Sequence, residues 1–420
     1  MNIKISILIP TYNRGNYLVE AIESVFYQLN DGDEILIIDD GSTDKTARII
    51  EKYNGNENFR YIKKKHTNAP DTRNFAIKNA KNSWILWLDS DDILRKNTVD
   101  LYRDILKKNK RIDVLYGNKL VIGNVLNNNR RKWVFKDFYN KNEDLLAGLI
   151  TNNLLPNTGV IVKKSIYEKF GAYNTDFIRV HDYEFWARVA LDVKFKNCNK
   201  FVVKWRWHDG NMSTPSVYKD LKYESMVLDL ILEKYELKQI FYNYNWDNEN
   251  RSFAKAYYNI SKAYKKWGQS VKSLKYLEKS IKYFPTNSSY LLLLNLYHFR
   301  LAESEKKKIL ESLLNLALTN TLKIKGRKIN EKYVIASILK CRGKHNLSMM
   351  RFSEIEKKIE NIEKFKELLS GVYFHKGDIF FKMNDLINAE KYFTKTISLN
   401  PEHKKAKEML INIDIKNNEI

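Results

Sequence analysis

The sequence predicts an α/β domain with a mixed sheet, followed by an all-α domain of helical repeats. Through about residue 115, short apolar runs alternate with amphipathic stretches, a pattern typical of parallel strands covered by helices. After about residue 216 the strand patterns disappear, and two segments with similar spacing indicate helical repeats. With 420 residues, 44% of them hydrophobic, the chain is long enough to bury the cores of about two domains.

The elements of the first domain follow from its apolar runs. Four leading strands are expected at 3–9, 34–38, 59–62 and 84–88, and the amphipathic stretches after them predict helices at 17–28, 43–53, 72–81 and 98–108. Beyond residue 113 the pattern changes to strand pairs with helices between them. Strands are expected there at 114–122, 132–135, 159–162 and 201–207, and a helix at 182–190. This order predicts a mixed sheet that closes over a ligand crevice.

Polar clusters follow three of the four leading strands. They are Thr11-Tyr12-Asn13, Asp39-Asp40-Gly41-Ser42 and Asp89-Ser90-Asp91-Asp92. Ligands of parallel sheets bind beyond the carboxyl ends of the strands, so the three clusters are expected at one crevice. The carboxylates of the last cluster repel one another unless a cation or solvent separates them, which favours a divalent metal with a phosphorylated ligand. A solvated turn that caps the next helix is the alternative, and Asp92 is the carboxylate expected to cap that helix.

The first two clusters favour a nucleotide base as part of that ligand. A carboxylate fixed at a strand end, Asp39, can accept the imide hydrogen of uracil, whereas capping of the following helix is the alternative. Tyr12, which follows Pro10 closely, can lie against the base. Arg73, on the helix before the fourth strand, can reach a diphosphate.

Taken together, these motifs resemble the family 2 glycosyltransferases, which have the GT-A fold, a Rossmann-like nucleotide-diphospho-sugar transferase fold. The resemblance rests on Pro-Thr-Tyr-Asn from residue 10, Asp-Asp-Gly-Ser-Thr-Asp from residue 39, Arg-Asn at 73–74 and Trp-Leu-Asp-Ser-Asp-Asp from residue 87. It covers about residues 3–213. It implies an inverting transferase that uses a nucleotide diphosphate sugar, by family habit a UDP-sugar, together with Mg²⁺ or Mn²⁺.

The resemblance also implies roles for individual residues. Asp91 would ligate the metal, and Asp89 would contact the ribose or a metal-bound water. Asp39 would hold the base and Arg73 would lie near the diphosphate. The donor-binding residues implied in this way are Pro10, Tyr12, Asp39, Arg73, Asp89 and Ser90.

Two later segments resemble the remaining parts of the family's site. His-Asp at 181–182 stands where the family has an acidic pair at a helix N-terminus, so Asp182 is the expected general base and a helix cap is its alternative role. Glu184 and Asp176 are the fallback candidates for the base. His208 lies in a segment that resembles the end of the family's domain, where it is expected near the metal or the diphosphate, or else as an ordinary loop histidine.

The second domain resembles the tetratricopeptide repeats. Residues 254–287 and 370–403 carry the family's spacing, and their starts lie about 116 residues apart, which is not a multiple of the 34-residue repeat. The helices between them, at 288–369, are therefore expected to be irregular. The predicted domains are a GT-A domain at 1–215, a helical linker at 216–253 and a repeat domain at 254–420.

Charge and cysteine content limit the classes of partner and compartment. The net charge of +23 favours acidic partners, but no nucleic-acid-binding motif is present, so nucleic acid is not expected. The two cysteines have no metal-ligand spacing, which fits a reducing cytoplasm. The strand pattern starts at residue 3, so no signal peptide is expected, and any membrane association is expected to be peripheral because no apolar run approaches roughly 20 residues.

The leading hypothesis is a hexosyl- or N-acetylhexosaminyltransferase that acts on a glycan, a lipid-linked or a protein acceptor in cell-surface polysaccharide synthesis or protein modification. Its repeats would hold the acceptor, bind a protein partner or mediate self-association. The alternative is a nucleotide-binding scaffold whose repeat surface is the functional part. The presence of Asp39, Asp91 and Asp182 favours the enzyme.

Overall fold

The computed structural model describes residues 3–123, 132–208, 210–211, 221–284, 343–361 and 366–418, and isolated positions at 286, 289, 333, 336–337 and 339–340. These residues form two compact units. The first unit consists of the chain up to Tyr244 together with Lys266–Gly268, and the second contains the remainder. None of the described helices combines the length and the apolar composition that a bilayer-spanning segment requires.

The first unit alternates strands and helices. Its strands are β1 (Ile5–Thr11), β2 (Glu34–Asp39), β3 (Phe59–Lys63), β4 (Trp84–Trp87), β5 (Ile93–Leu94), β6 (Val114–Gly123), β7 (Lys132–Trp133), β8 (Val160–Lys163) and β9 (Phe195–Trp207). Its helices are α1 (Gly15–Phe26), α2 (Thr46–Ile50), α3 (Ala69–Asn79), α4 (Thr98–Lys108), α5 (Asn142–Leu149), α6 (Lys164–Phe170), α7 (His181–Val189), α8 (Lys222–Lys234) and α9 (Leu237–Ile240).

The strands form one sheet in the order β3-β2-β1-β4-β8-β6-β9-β5, and β7 pairs with β6. The four leading strands run parallel to one another, as the alternating pattern predicts. β8 runs antiparallel to both β4 and β6, whereas β9 runs parallel to β6 and antiparallel to β5. The expected mixed sheet is therefore confirmed.

The first two strands, β1 and β2, are buried on both faces because their sequences are largely apolar. Every residue of β2 is buried, and β1 is buried except at Pro10. The register places Thr11 opposite Asp39, so β1 and β2 end at the same edge of the sheet. The polar residues that follow these strands consequently meet at that edge.

Two strands differ from the sequence prediction. β9 begins at Phe195 rather than at residue 201, because polar residues in its first half hide the strand pattern. β5 was not predicted, since two residues are too few to show a period; it pairs with β9 through Ile93 and Lys204. This pairing ties the segment just after the acidic tetrapeptide to the last strand of the sheet.

The first unit extends past the predicted boundary at residue 215. Val227 and Ile231 of α8 are fully buried in this unit. The hydroxyl of Tyr235 donates a hydrogen bond of 3.0 Å to the carbonyl of Ala187, on α7. These contacts place the first half of the predicted linker, 216–253, within the first unit.

The second unit is helical in all of its described elements. Its helices are α10 (Glu249–Lys266), α11 (Ser270–Tyr283), α12 (His345–Ile359), α13 (Lys366–Lys382), α14 (Leu386–Leu399) and α15 (Lys404–Asn418). In one predicted repeat, α13 and α14 approach so closely that a Cβ atom at Gly377 would lie 2.8 Å from the Phe393 ring. In the other, Ser273 donates a 2.8 Å hydrogen bond to the carbonyl of Ser261 across the helix pair. The irregularity expected for the helices at 288–369 falls on residues that lie largely outside the described part of the chain.

Candidate active site

A cavity of about 1150 Å³ opens at the carboxyl edge of the sheet in the first unit. Its walls come from the ends of β1, β2 and β4, from β6 and β9 of the mixed half, and from the start of α7. Seven predicted site residues line it: Pro10, Tyr12, Arg73, Asp89, Ser90, Asp91 and Asp182. The sheet therefore brings together side chains that are more than 170 residues apart in sequence.

Asp39 does not reach this cavity. It is fully buried, and its two carboxylate oxygens accept hydrogen bonds from the backbone N–H of Ser42 (2.7 Å) and the hydroxyl of Tyr61 (2.6 Å). The structure thus gives Asp39 the task of fixing the turn after β2. Its neighbour Asp40 lines the cavity instead, where Lys64 Nζ lies 2.6 Å from its carboxylate.

An aromatic pair lies beside Asp40 at the cavity wall. Tyr12 stacks on His66 with a centroid distance of 4.1 Å and an interplanar angle of 20°. Tyr12 keeps 42% of its surface exposed, so part of the ring remains available to a ligand. His66 Nδ1 lies 3.0 Å from the backbone oxygen of Asp40, which links the pair to the turn.

Arg73 and Asp89 form an ion pair inside the cavity. The guanidinium of Arg73 also lies over the ring of Trp87, 4.7 Å from its centroid, and the side chain is almost completely buried. Its Nη1 has no hydrogen-bond partner among the described residues. The backbone N–H of Asp89 donates to the hydroxyl of Thr158 at 3.1 Å, which fixes the end of β4. A diphosphate oxygen is the type of acceptor that the unpaired nitrogen lacks.

Asp91 is surrounded by cationic and polar groups. Its Oδ2 lies 3.1 Å from His208 Nε2 and 3.6 Å from Arg14 Nε. The N–H of Gly210 donates to His208 Nδ1 at 3.1 Å, so the ring proton lies on Nε2 and points to Asp91. His208 also stacks on Tyr17 with a centroid distance of 5.1 Å. Although His208 does not itself line the cavity, it orients the predicted metal ligand.

The neighbouring Asp92 is buried and faces away from solvent. Its Oδ1 accepts the N–H of Arg206 on β9 at 2.9 Å, and its Oδ2 has no partner among the described residues. Burial, with the charges of Asp89 and Asp91 beside it, raises the pKa of Asp92 well above the ordinary range. The expectation that Asp92 caps a following helix is wrong, because a strand, β5, follows it.

The residues at this edge fit a magnesium or manganese ion that is shared with a diphosphate. Among the described residues, no three histidine, cysteine or acidic side chains are grouped so that they alone could hold a metal. Mg²⁺ is commonly held by one or two carboxylates, with substrate phosphates and water completing its shell. Asp91 offers such a carboxylate on the cavity wall. Ligation of the metal by His208 stays a prediction. In the structure both ring nitrogens of His208 are in hydrogen bonds, Nε2 with Asp91 and Nδ1 with the N–H of Gly210.

Asp182 lies in the first turn of α7 on the cavity wall. Its Oδ2 accepts a hydrogen bond of 2.8 Å from the side-chain amide of Asn153. Burial raises the pKa of Asp182, while the N-terminal N–H of Tyr183 and the charge of Arg73 oppose the rise. A carboxylate whose basicity is increased by burial is suited to accept a proton.

The residues around Asp182 narrow the choice of base. Glu184 is buried and forms an ion pair with Arg188 at 2.7 Å, and Asp176 is exposed; neither lines the cavity. His181, which stands in place of an acid, lies edge-on to Tyr173, and burial lowers the pKa of His181 to about 3. Near neutral pH His181 is therefore uncharged, and it does not replace the negative charge of the family's first acid.

The backbone at the start of α7 is strained. Val180, a β-branched residue, has φ = +52°, in the left-handed region that such side chains rarely adopt. It lines the cavity directly before His181 and Asp182. Strain of this kind concentrates at functional sites, because the surrounding structure must hold the backbone in place.

Sequence reasoning missed four side chains on the cavity wall. Asp40 was overlooked in favour of Asp39, although the alternation of a strand turns successive side chains to opposite sides. Arg14 follows the first motif directly but was given no role. Lys119 and Trp133 carry no local signal, because they reach the cavity only through the pairing of β6, β7 and β9.

Comparisons with known proteins agree with this architecture. Residues 6–171 match the Glycosyl transferase family 2 model, and residues 254–287 and 370–403 match the Tetratricopeptide repeat model, at the positions expected from the sequence. In solved structures, the chain resembles Staphylococcus aureus TarS 1-349 in complex with UDP-GlcNAc, with a TM-score of 0.50 and 17% identity over 76% of this chain and 92% of that one. At this identity the likeness shows the fold alone.

Curated relatives include an uncharacterized glycosyltransferase of Rickettsia typhi, 27% identical over 226 residues, which are 53% of this chain and 70% of that protein. Another is the poly(ribitol-phosphate) beta-N-acetylglucosaminyltransferase TarP of Staphylococcus aureus, 34% identical over 173 residues, or 40% of this chain. The chain spans half the length of TarP. The two family matches and the likeness in fold together show that this chain carries a glycosyltransferase family 2 domain with the GT-A fold, followed by tetratricopeptide repeats.

Proposed function

We propose that this chain moves a sugar from a UDP-sugar to a glycan, lipid-linked or protein acceptor, with inversion at the anomeric carbon and with Mg²⁺ or Mn²⁺ as cofactor. The observation that carries the proposal is that Asp182, Asp91 and the Arg73–Asp89 pair line one cavity at the carboxyl edge of a GT-A sheet. This set supplies a base, a metal-binding carboxylate and a cation for a leaving diphosphate.

The acceptor step is assigned to Asp182. In the proposed reaction its carboxylate takes the proton of the acceptor hydroxyl while the oxygen attacks the anomeric carbon from the face opposite the diphosphate. The bond from the sugar to the diphosphate breaks as the new glycosidic bond forms, so the configuration inverts. The Asn153 amide holds one carboxylate oxygen of Asp182, which leaves the other oxygen to accept the proton.

The donor is proposed to lie between the turn after β2 and the end of β4. Tyr12, stacked on His66, offers an aromatic face for the base, and we assign to Asp40, which lines the cavity, the acceptance of the imide hydrogen that was expected of Asp39. Arg73, held by Asp89, is proposed to donate its Nη1, which has no partner within the described part of the chain, to a diphosphate oxygen. Asp91 would hold the metal, which when bound neutralises charge on the departing diphosphate.

The sugar is proposed to be an N-acetylhexosamine or a hexose, because the name of TarP describes a beta-N-acetylglucosaminyltransferase. The tetratricopeptide repeats are proposed to hold the acceptor, a partner or a second copy, since such repeats present extended binding surfaces. A scaffold that binds nucleotide without turnover is less well supported, because Asp182 lies on the cavity wall with its acceptor oxygen available.

A thermal-shift panel tests the donor and metal assignments. UDP-GlcNAc, UDP-glucose, UDP-galactose and GDP-mannose are each added with Mg²⁺, with Mn²⁺ and with EDTA, and at least one UDP-sugar should raise the melting temperature only when metal is present. Asp91→Asn should remove the metal dependence, whereas Asp104→Asn, at an exposed position that does not line the cavity, should retain it. Stabilisation that EDTA leaves unchanged would rule out the metal assignment.

A further inference from the structure

One cation of the cavity has no ionic partner among the residues that the structure describes. Four of the lysine and arginine residues that line it form ion pairs with neighbouring carboxylates: Arg14, Arg73, Lys136 and Arg179. The ammonium of Lys119, on β6, makes no hydrogen bond or ion pair with any described residue. Burial lowers the pKa of Lys119, and the carboxylates of Asp92, Asp89 and Asp182 oppose this change only from a distance. Lys119 is only partly buried, and a partly buried ammonium without hydrogen-bond acceptors is stabilised by a ligand that supplies them.

Aromatic rings surround this ammonium. Lys119 Nζ lies 5.4 Å from the centroid of Trp205 and 5.7 Å from that of Phe135. Trp133, which pairs directly with Lys119 across β6 and β7, stacks on Phe135 at 6.3 Å and meets Trp205 edge-on at 6.2 Å. We call Lys119, Trp133, Phe135 and Trp205 the lysine–tryptophan cluster.

The cluster is open on its outer side. Trp133 keeps 50% of its surface exposed on a strand of only two residues, and Val134 beside it is exposed as well. A large aromatic side chain exposed at the wall of a cavity marks a ligand-binding surface more often than a structural one. The C–H groups on one face of a pyranose ring pack well on such a ring.

We propose that the lysine–tryptophan cluster is an acceptor subsite, in which Trp133 stacks on a sugar or polyol unit and Lys119 binds a phosphate or carboxylate group carried by that unit. This proposal rests on the proposed function, because the unit would be part of the molecule whose hydroxyl Asp182 deprotonates. It adds a chemical class to the acceptor: an anionic glycan rather than a neutral one.

The location of the cluster favours the acceptor over the donor. The groups assigned to the donor, Tyr12, Asp40 and Arg73, lie on the leading parallel strands and the helix between them. The cluster belongs to β6, to β7 with the residues just after it, and to β9. These strands lie in the mixed half of the sheet. Asp182, on α7 between β8 and β9, lines the cavity together with the donor residues and the lysine–tryptophan cluster. It is therefore placed in the proposal where acceptor and donor would meet.

Saturation-transfer NMR with UDP and Mg²⁺ present tests the subsite on the full chain. The probes are methyl α-D-glucoside 6-phosphate, methyl β-D-glucuronide and neutral methyl α-D-glucoside, so the phosphate and the carboxylate are examined separately. At least one anionic probe should bind the unmodified protein more tightly than the neutral one. Lys119→Met should weaken that probe roughly tenfold, to the level of the neutral probe, because a charge-assisted hydrogen bond is lost. Trp133→Ala should weaken all three probes.

Two matched controls lie outside the cavity. Lys132→Met removes a lysine of the same hairpin that also lies over an aromatic ring, that of Phe201, and Tyr27→Ala removes an exposed aromatic side chain. Neither change should alter binding of any probe. The melting temperature of each variant is compared as a check on folding. Trp133→Ala should change it little, because half of the Trp133 surface is exposed.

Distinct results overturn the subsite and the proposed function. If the anionic and neutral probes bind the unmodified protein equally, or if none gives a signal, the subsite is wrong. If Lys119→Met lowers the affinity for UDP and leaves the probes unchanged, Lys119 belongs to the donor site; the subsite is then wrong although the proposed function stands. If the unmodified protein does not bind UDP at all, the proposed function itself fails.

Discussion

Replacing Asp182 with asparagine removes the proposed proton acceptor but keeps the size and shape of the side chain. The Asn153 amide, 2.8 Å from Asp182 Oδ2, can donate to the amide oxygen of the variant in the same way. The variant loses a negative charge near the N-terminus of α7, worth roughly 0.3–1 kcal/mol of stability, but it also loses the cost of burying that charge. The free energy of unfolding should therefore change by less than about 1 kcal/mol.

The effect on turnover should be much larger. General-base catalysis contributes roughly 10²–10⁴-fold to a rate, which corresponds to about 2.7–5.4 kcal/mol of barrier at about 1.36 kcal/mol for each tenfold change. Because Asp182 has no assigned contact with the donor, the affinity for UDP-sugar should stay within about twofold of the unmodified value. The predicted signature is a large loss in kcat with little change in donor affinity or in melting temperature.

The assay follows UDP release from the best donor of the thermal-shift panel, and isothermal titration gives the donor affinity. Asp176→Asn serves as the control, since it makes the same chemical change nearby at an exposed position that does not line the cavity. A variant at Asp182 with near-normal turnover would refute the assignment of the base. Collapse of donor affinity with a normal melting temperature would show that Asp182 contacts the donor instead.

Three further predictions follow from single contacts. Burial raises the pKa of Asp182 above the ordinary 3.8 of aspartate, and only the ionised form accepts a proton. The value of kcat/KM should therefore fall as the pH drops through a pKa above 3.8, whereas an acid limb at or below 3.8 would contradict this. Asp39→Asn leaves one of two buried donors, the Ser42 N–H or the Tyr61 hydroxyl, without an acceptor, so urea unfolding should show a loss of about 1–3 kcal/mol; an unchanged midpoint would argue against the structural role. Gly377→Ala should destabilise the second unit by about 1 kcal/mol, because the clash with the Phe393 ring, 2.8 Å away, exceeds the gain in helix propensity. Thermal unfolding at or above the unmodified midpoint would show that the two helices can separate without cost.

The sequence was sufficient for the leading half of the sheet because its signals are local. The strands β1 to β4 are apolar at nearly every position, and the polar residues after them mark their carboxyl ends. The acidic tetrapeptide likewise predicted that Asp89 and Asp91 would line a cavity. In each case a few consecutive residues carry the whole pattern.

Other features could not be predicted because they depend on contacts distant in sequence. Asp39 and Asp40 are adjacent aspartates, both are buried, and the hydrogen bond from Tyr61 to Asp39 accompanies the arrangement in which Asp40 alone of the two lines the cavity. Lys119 reaches the cavity because β6 pairs with β9, about 80 residues later. The pairing of Asp92 with the Arg206 N–H likewise joins two ends of the domain.

The stereochemistry of donor turnover tests the central claim most directly. Proton NMR of early time points, recorded while the protein hydrolyses a UDP-α-sugar with water as the acceptor, identifies the anomer that forms first. Attack from the face opposite the diphosphate, with Asp182 as the base, predicts the β-anomer of the free sugar before mutarotation. If the α-anomer forms first, the single-displacement mechanism proposed for this cavity is contradicted.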